Sequence, residues 1–66
     1  MTNEKILNDL IILKQNGISY SSISDAVEIP RSTFYYYIRV NKIPYDARKR
    51  IKEYINKEYR EILEDE

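Results

Sequence analysis

Three residues punctuate this chain: Gly17, its only glycine, and Pro30 and Pro44, its only prolines. Glycine reaches the left-handed backbone that closes a helix. Proline disfavours helical geometry in the residue before it and suits the opening of the next helix. Between these breaks, apolar residues recur at three- and four-residue spacing, the period of a helix with one buried face. A succession of short helices is therefore what the chain can form.

The first helix is expected from Asn3 to Asn16, capped by Thr2 or Asn3 and closed by Gly17. Ile6, Leu10 and Leu13 line its inner face with Leu7 beside them, while Ile11 and Ile12 exceed what one stripe needs. Ser19 suits the cap of a second helix running through Val27, with Ile23 and Val27 inward. A third helix starts at Pro30 or Arg31 and turns Phe34, Tyr37 and Ile38 to one side; Val40 to Ile43 reads as a loop. From Pro44 onward, Ala47, Ile51, Ile55, Tyr59 and Ile62 form a ladder joined by Tyr54. The ladder fits one long helix or two, broken near Asn56 and Lys57, and Glu64-Asp65-Glu66 reads as a frayed end. The expectation is a single all-α domain over residues 1–66, a compact bundle of roughly four to five helices.

Sixty-six residues bury only about 60% of their unfolded surface, so the core is small. Without cysteine or histidine the chain lacks disulfides, thiolate zinc sites and the usual general base. A single glycine rules out a glycine-rich phosphate loop, and so small a core rarely encloses a catalytic pocket. The reading is a non-enzyme with no cofactor, no metal and no small-molecule substrate. Asp25 and Glu28 are read as capping or solubilising residues. The N-terminus lacks a basic stretch feeding an apolar run, and no segment nears the ~18 apolar residues of a membrane span. A cytoplasmic protein without membrane association follows as the expectation.

The net charge of zero is unevenly distributed. Residues 29–52 hold seven cations against one anion, for +6, whereas residues 1–28 carry −2 and residues 53–66 carry −4. A polyanion would feel the central segment at short range, with the acidic tail weakening attraction from afar. The same charges are also what ordinary solvated helix faces contain, and the Arg48-Lys49-Arg50 run is read that way.

Residues 19–44 combine these features. Ile23, Val27, Ile29, Phe34 and Tyr37 can lock two helices at a fixed angle, leaving polar and basic residues on the outer face of the second. In this spacing the segment resembles the helix-turn-helix of phage repressors and Cro-type regulators, a lambda-repressor-like arrangement. The matching positions are Ile23, the small Ser24, Val27, Ile29 after the turn, Phe34 and Tyr37, then a basic loop from Arg39 to Pro44. The run Pro-Arg-Ser-Thr-Phe-Tyr also looks like the reading helices of resolvase-type and tetracycline-repressor-type proteins. Two positions depart from the pattern. Glu28 stands where the family usually has glycine, at a cost on the order of 1 kcal/mol if the left-handed angle is kept, which leaves a remodelled turn open. Pro30 replaces the usual Ser or Thr cap, so that Ser32 could cap a helix starting two residues later.

The resemblance implies double-stranded DNA as partner and a homodimer, since one reading helix covers only a few base pairs. Arg31 is the candidate for bidentate recognition of guanine. Ser32 is placed beside it, and Tyr36, with Tyr35, is set to meet thymine methyls or a phosphate. Ser19, Tyr20 and Ser21 suit phosphate contacts at the start of the bracing helix, and Thr33, Arg39, Asn41 and Lys42 are read as backbone clamps. The dimer surface is assigned either to the Ile51-Ile55-Tyr59-Ile62 stripe or to the surplus isoleucines of the first helix. The implied function is sequence-specific transcription regulation, as in a repressor of a phage or mobile element. The alternatives are a protein-binding module, such as a phage-encoded inhibitor or assembly factor, and an architectural factor in recombination.

Overall fold

The breaks expected at Gly17, Pro30 and Pro44 divide the chain as the pattern requires. The computed structural model describes residues 2–64 as five helices: α1 (Asn3–Gln15), α2 (Tyr20–Ala26), α3 (Arg31–Val40), α4 (Tyr45–Glu58) and α5 (Arg60–Glu64). There is no strand among the described residues. Of the frayed end expected at Glu64-Asp65-Glu66, Glu64 belongs to α5, and Asp65 and Glu66 lie outside the described residues. Thr2 caps α1, its side chain accepting the Lys5 N–H at 3.1 Å, and Ser19 caps α2 by accepting the Ser22 N–H at 3.1 Å. Pro30 and Pro44 occupy the cap positions of α3 and α4 without a side-chain bond. The helix start that Ser32 would have capped is not used; α3 begins at Arg31.

Helices α2 and α3 pack on each other, and α1 lies against α4 and α5. The core joins the groups: Ile6, Leu10 and Leu13 of α1, Ile23 and Val27 of α2 and its cap, Ile29, Phe34, Ile43, and Ala47, Ile51 and Ile55 of α4 are all buried. This disposes of one expected dimer stripe. Ile51 and Ile55 are 1% and 0% exposed, spent on the monomer's own core, and Tyr59 and Ile62 pack against it. Of the surplus isoleucines, Ile11 is exposed and Ile12 half-buried. The long ladder breaks at Tyr59, three residues beyond Asn56, and Val40 belongs to α3 rather than to the following loop.

One buried charge was not anticipated. Asp9 of α1 is 1% exposed; its Oδ1 accepts a hydrogen bond from Lys5 Nζ at 3.0 Å, and Lys52 Nζ of α4 stands 3.6 Å from Oδ2. The Lys5 and Lys52 side chains are 48% and 28% exposed and keep access to water, whereas the Asp9 side chain is 1% exposed. The two sides of this cluster are therefore unequal. Replacing Lys5 and Lys52 together by Met strands a buried anion and is expected to cost roughly 3–5 kcal/mol. Asp9→Leu strands only lysine heads that can reach solvent, and is expected to cost about 1 kcal/mol or less. Urea denaturation of the two variants measures the difference, and equal losses would mean that Asp9 gains little from its lysines.

Where α4 meets α5, the Tyr54 and Tyr59 rings meet edge to face with centroids 5.8 Å apart, and their hydroxyls lie 3.5 Å from each other. The hydrogen bond to Tyr59, together with burial and the nearby Glu58 carboxylate, pushes the Tyr54 phenol up to about 12. The unfolded phenol ionises near 10. The contribution of this pair is thus complete below pH 10 and is lost as pH climbs from there through about 12. A spectrophotometric titration is expected to include a phenol ionising well above 10, and Tyr59→Phe to lower that late step.

Candidate nucleic-acid interface

The geometry of α2 and α3 is set by how α2 ends. Glu28 adopts φ 59°, the left-handed region. Its N–H bonds the Asp25 carbonyl at 3.2 Å, and the next residue, Ile29, reaches back to the Ser24 carbonyl at 3.0 Å. Gly17 (φ 89°) and Asn41 (φ 57°) close α1 and α3 in the same way, with Ile18 bonding Leu13 and Lys42 bonding Tyr37. The turn is therefore not remodelled around Glu28. Ile29, 6% exposed, follows the reversal directly, and its burial in the core helps to hold the turn in place.

Beyond the turn, α3 separates into two faces. Phe34 is buried, and Tyr37 and Ile38 are half-buried against the core. Arg31, Ser32, Tyr35, Tyr36 and Arg39 are exposed, and Thr33 is intermediate. Tyr35 turns back to α2: its hydroxyl lies 3.1 Å from Ser21 Oγ, and its ring meets Tyr20 edge to face at 6.0 Å. Tyr20 also packs near Phe34, with Lys14 Nζ 4.7 Å from its ring centre. Burial, aided by Tyr35, raises the Tyr20 phenol above its ordinary value. Tyr20, Ser21 and Tyr35 thus fasten the two helices together, and Ser19 is engaged as a cap. Tyr36 remains outward, 51% exposed, with the Arg39 guanidinium 5.6 Å from its ring centre.

Arg31 is not isolated. Its Nε and Nη2 donate to Asp25 Oδ1 and Oδ2 at 3.2 and 2.7 Å across the turn. The pair holds the Asp25 carboxyl below, and the Arg31 guanidinium above, their ordinary values. The capping or solubilising role expected of Asp25 gives way to this ion pair, for which an acid in the last turn of one helix and a base opening the next is the sequence clue.

The loop after α3 is pinned from two sides. The Asn3 side chain donates to the Asn41 carbonyl and accepts the Ile43 N–H at 2.6 Å. Arg48 Nη1 donates to the Ile43 carbonyl at 2.7 Å. Lys42 is exposed on this fastened segment. No local pattern announces the Asn3 contacts, which join residues about forty apart in sequence. A groove of about 530 Å³ runs beside the loop, lined by Tyr36, Val40, Lys42, Pro44 and Arg48 among others. Arg39, Lys42, Lys49 and Arg50 are the exposed cations of the basic segment other than Arg31, while Lys52 turns toward Asp9. Among the described residues no group of acids could hold a metal ion, and no helix is long and apolar enough to cross a membrane.

Glu28→Gly is expected to stabilise the fold by about 0.5–1 kcal/mol, read as a rise in Tm, because it relieves a left-handed L-residue at the cost of some unfolded-state freedom. A fall in Tm would show that the Glu28 side chain contributes more than its backbone angle costs.

No protein-family model, curated protein or solved structure matches this chain.

Proposed function

We propose that the chain is a small sequence-specific DNA-binding transcription regulator, with α2 and α3 forming a helix-turn-helix of the repressor and Cro type. The observation that carries this reading is the division of α3. One side is locked to α2 and the core, and the other presents Arg31, Ser32, Tyr36 and Arg39 to solvent. A left-handed residue at the family's glycine position supports the same reading.

In this proposal the N-terminal half of α3 enters the major groove. Arg31 addresses guanine through two donors, and Ser32 and Tyr36 meet neighbouring base edges or a thymine methyl. Arg39, Thr33 and the pinned Asn41-Lys42 segment hold the phosphate backbone. Ser19 and the start of α2 lie against the opposite phosphates; Tyr20, Ser21 and Tyr35 act by holding the helices in register. The chain offers one reading helix, which fits one half-site, so a second copy is needed to read a palindrome whose half-sites lie ~34 Å apart. Ile11, exposed on α1, with the half-buried Ile12 beside it, is the apolar candidate for that contact on the first helix. Occupancy of an operator overlapping a promoter is sufficient for repression.

A protein-binding module is the second reading, favoured by the groove beside Tyr36, Val40 and Pro44. A salt series separates the two. DNA binding through cations gives log affinity that falls linearly with log salt, whereas absence of binding at low salt sinks the DNA reading. Selection from a random DNA pool is expected to return two half-sites about 10–10.5 base pairs apart. On the selected site, Arg31→Ala is expected to cost ~1–3 kcal/mol and to relax one base preference. An equal loss on random DNA would make Arg31 a phosphate contact instead.

A further inference from the structure

Asp25 and Arg31 both stand at helix ends that disfavour their charge. Asp25 lies in the last turn of α2, where the helix dipole repels an anion, and Arg31 opens α3, where it repels a cation. Their side chains are 58% and 61% exposed, and exposed pairs add little to stability. The geometry is nonetheless a two-pronged one, from Nε and Nη2 to the two carboxylate oxygens. A guanidinium has a second edge. Contact through Nε and Nη2 leaves Nη1 and the other Nη2 hydrogen outside the pair, and that end-on edge can donate to guanine O6 and N7.

We propose that Asp25 is a positioning residue for base recognition. It grips one edge of the Arg31 guanidinium and presents the other to guanine, a role that rests on the DNA-binding reading above. The side chain is thereby ordered before DNA arrives. Arginine loses considerable rotamer freedom on binding, and a carboxylate that has already fixed it removes part of that loss from the binding step. Asp25 also favours guanine indirectly: the paired arginine cannot swing freely to a phosphate, so a site without guanine gains less from it. The αL turn at Glu28 makes this possible by bringing the last turn of α2 over the first residue of α3.

The test compares the wild type, Asp25→Ala and Asp25→Asn on the selected operator, on the same duplex with the Arg31-dependent guanine changed to adenine or 7-deazaguanine, and on random DNA. The expectation for Asp25→Ala is a roughly two- to tenfold loss of guanine preference, with affinity for random DNA unchanged or tighter because an anion is gone. Asp25→Asn, which keeps an acceptor, is expected to fall between. Helicity should be unaltered in both, since the residue is exposed. In the wild-type complex the Arg31 Nε–H should exchange slowly by NMR, and in the Asp25→Ala complex rapidly. Unchanged guanine preference in Asp25→Ala overturns the proposal, as does a wild-type complex in which Nε–H exchanges freely, because the pair then opens on binding. Wild-type protein that binds no DNA at low salt overturns the DNA-binding reading and this proposal together, which distinguishes that failure from the other two.

Discussion

The structure depends on a backbone reversal that an acidic residue is made to perform. Glu28 sits at φ 59°, and from that one angle follow the burial of Ile29, the start of α3 at Arg31, and the approach of Asp25 to Arg31. An L-residue in this region costs on the order of 1 kcal/mol, a modest sum beside the burial of Ile29 and Phe34, each worth about 1.5–3 kcal/mol. Hydrophobic burial decides the contest. The reversal persists because the core on either side of it requires the chain to turn there.

The same small core explains where polar groups have been recruited. With eleven buried apolar residues among those described, the protein uses side-chain hydrogen bonds to fix what the core does not reach. Asn3 and Arg48 fasten the segment from Asn41 to Ile43, and Ser21 and Tyr35 fasten the outer edge of the α2–α3 pair. Asp9 ties α1 to α4 through Lys52. Each joins separate parts of the chain that also border the shared core, and the fastened parts include the outer edge of α3 and its following loop.

How much of this was legible in the sequence follows from the range of the forces involved. Gly17, Pro30, Pro44, Thr2 and Ser19 act on their immediate neighbours, and they marked the helices to within a few residues. Ile6, Leu10, Leu13, Ile23, Phe34 and Ile51 declared themselves core by period. The end of α4 did not, since the i+4 ladder runs through Tyr59 without a glycine or proline to stop it. Ile51 and Ile55 were apolar on either reading, and periodicity cannot distinguish a face used inside the monomer from one reserved for a partner. The contacts of Asn3 with the Asn41–Ile43 segment, of Asp9 with Lys52 and of Asp25 with Arg31 are not legible in the sequence, because tertiary approach chooses the partners. The exposed residues of α3 were identified correctly as exposed; their chemistry toward DNA is a proposal that the fold accommodates.

The charge distribution gives that proposal a physical consequence. A chain of zero net charge with an acidic final segment gains little from long-range steering, because beyond a Debye length of about 8 Å at physiological salt its opposing charges largely cancel. Affinity for a duplex then has to arise at contact range, where each ordered side chain counts against the freedom it gives up. The pinned loop and the paired Arg31 reduce that loss. On the proposed reading, rigidity at α3 replaces the bulk positive charge that many nucleic-acid binders carry. Weak general attraction also leaves less non-specific binding to compete with the operator. The acidic tail, far from contradicting a DNA reader, then favours discrimination over speed of encounter.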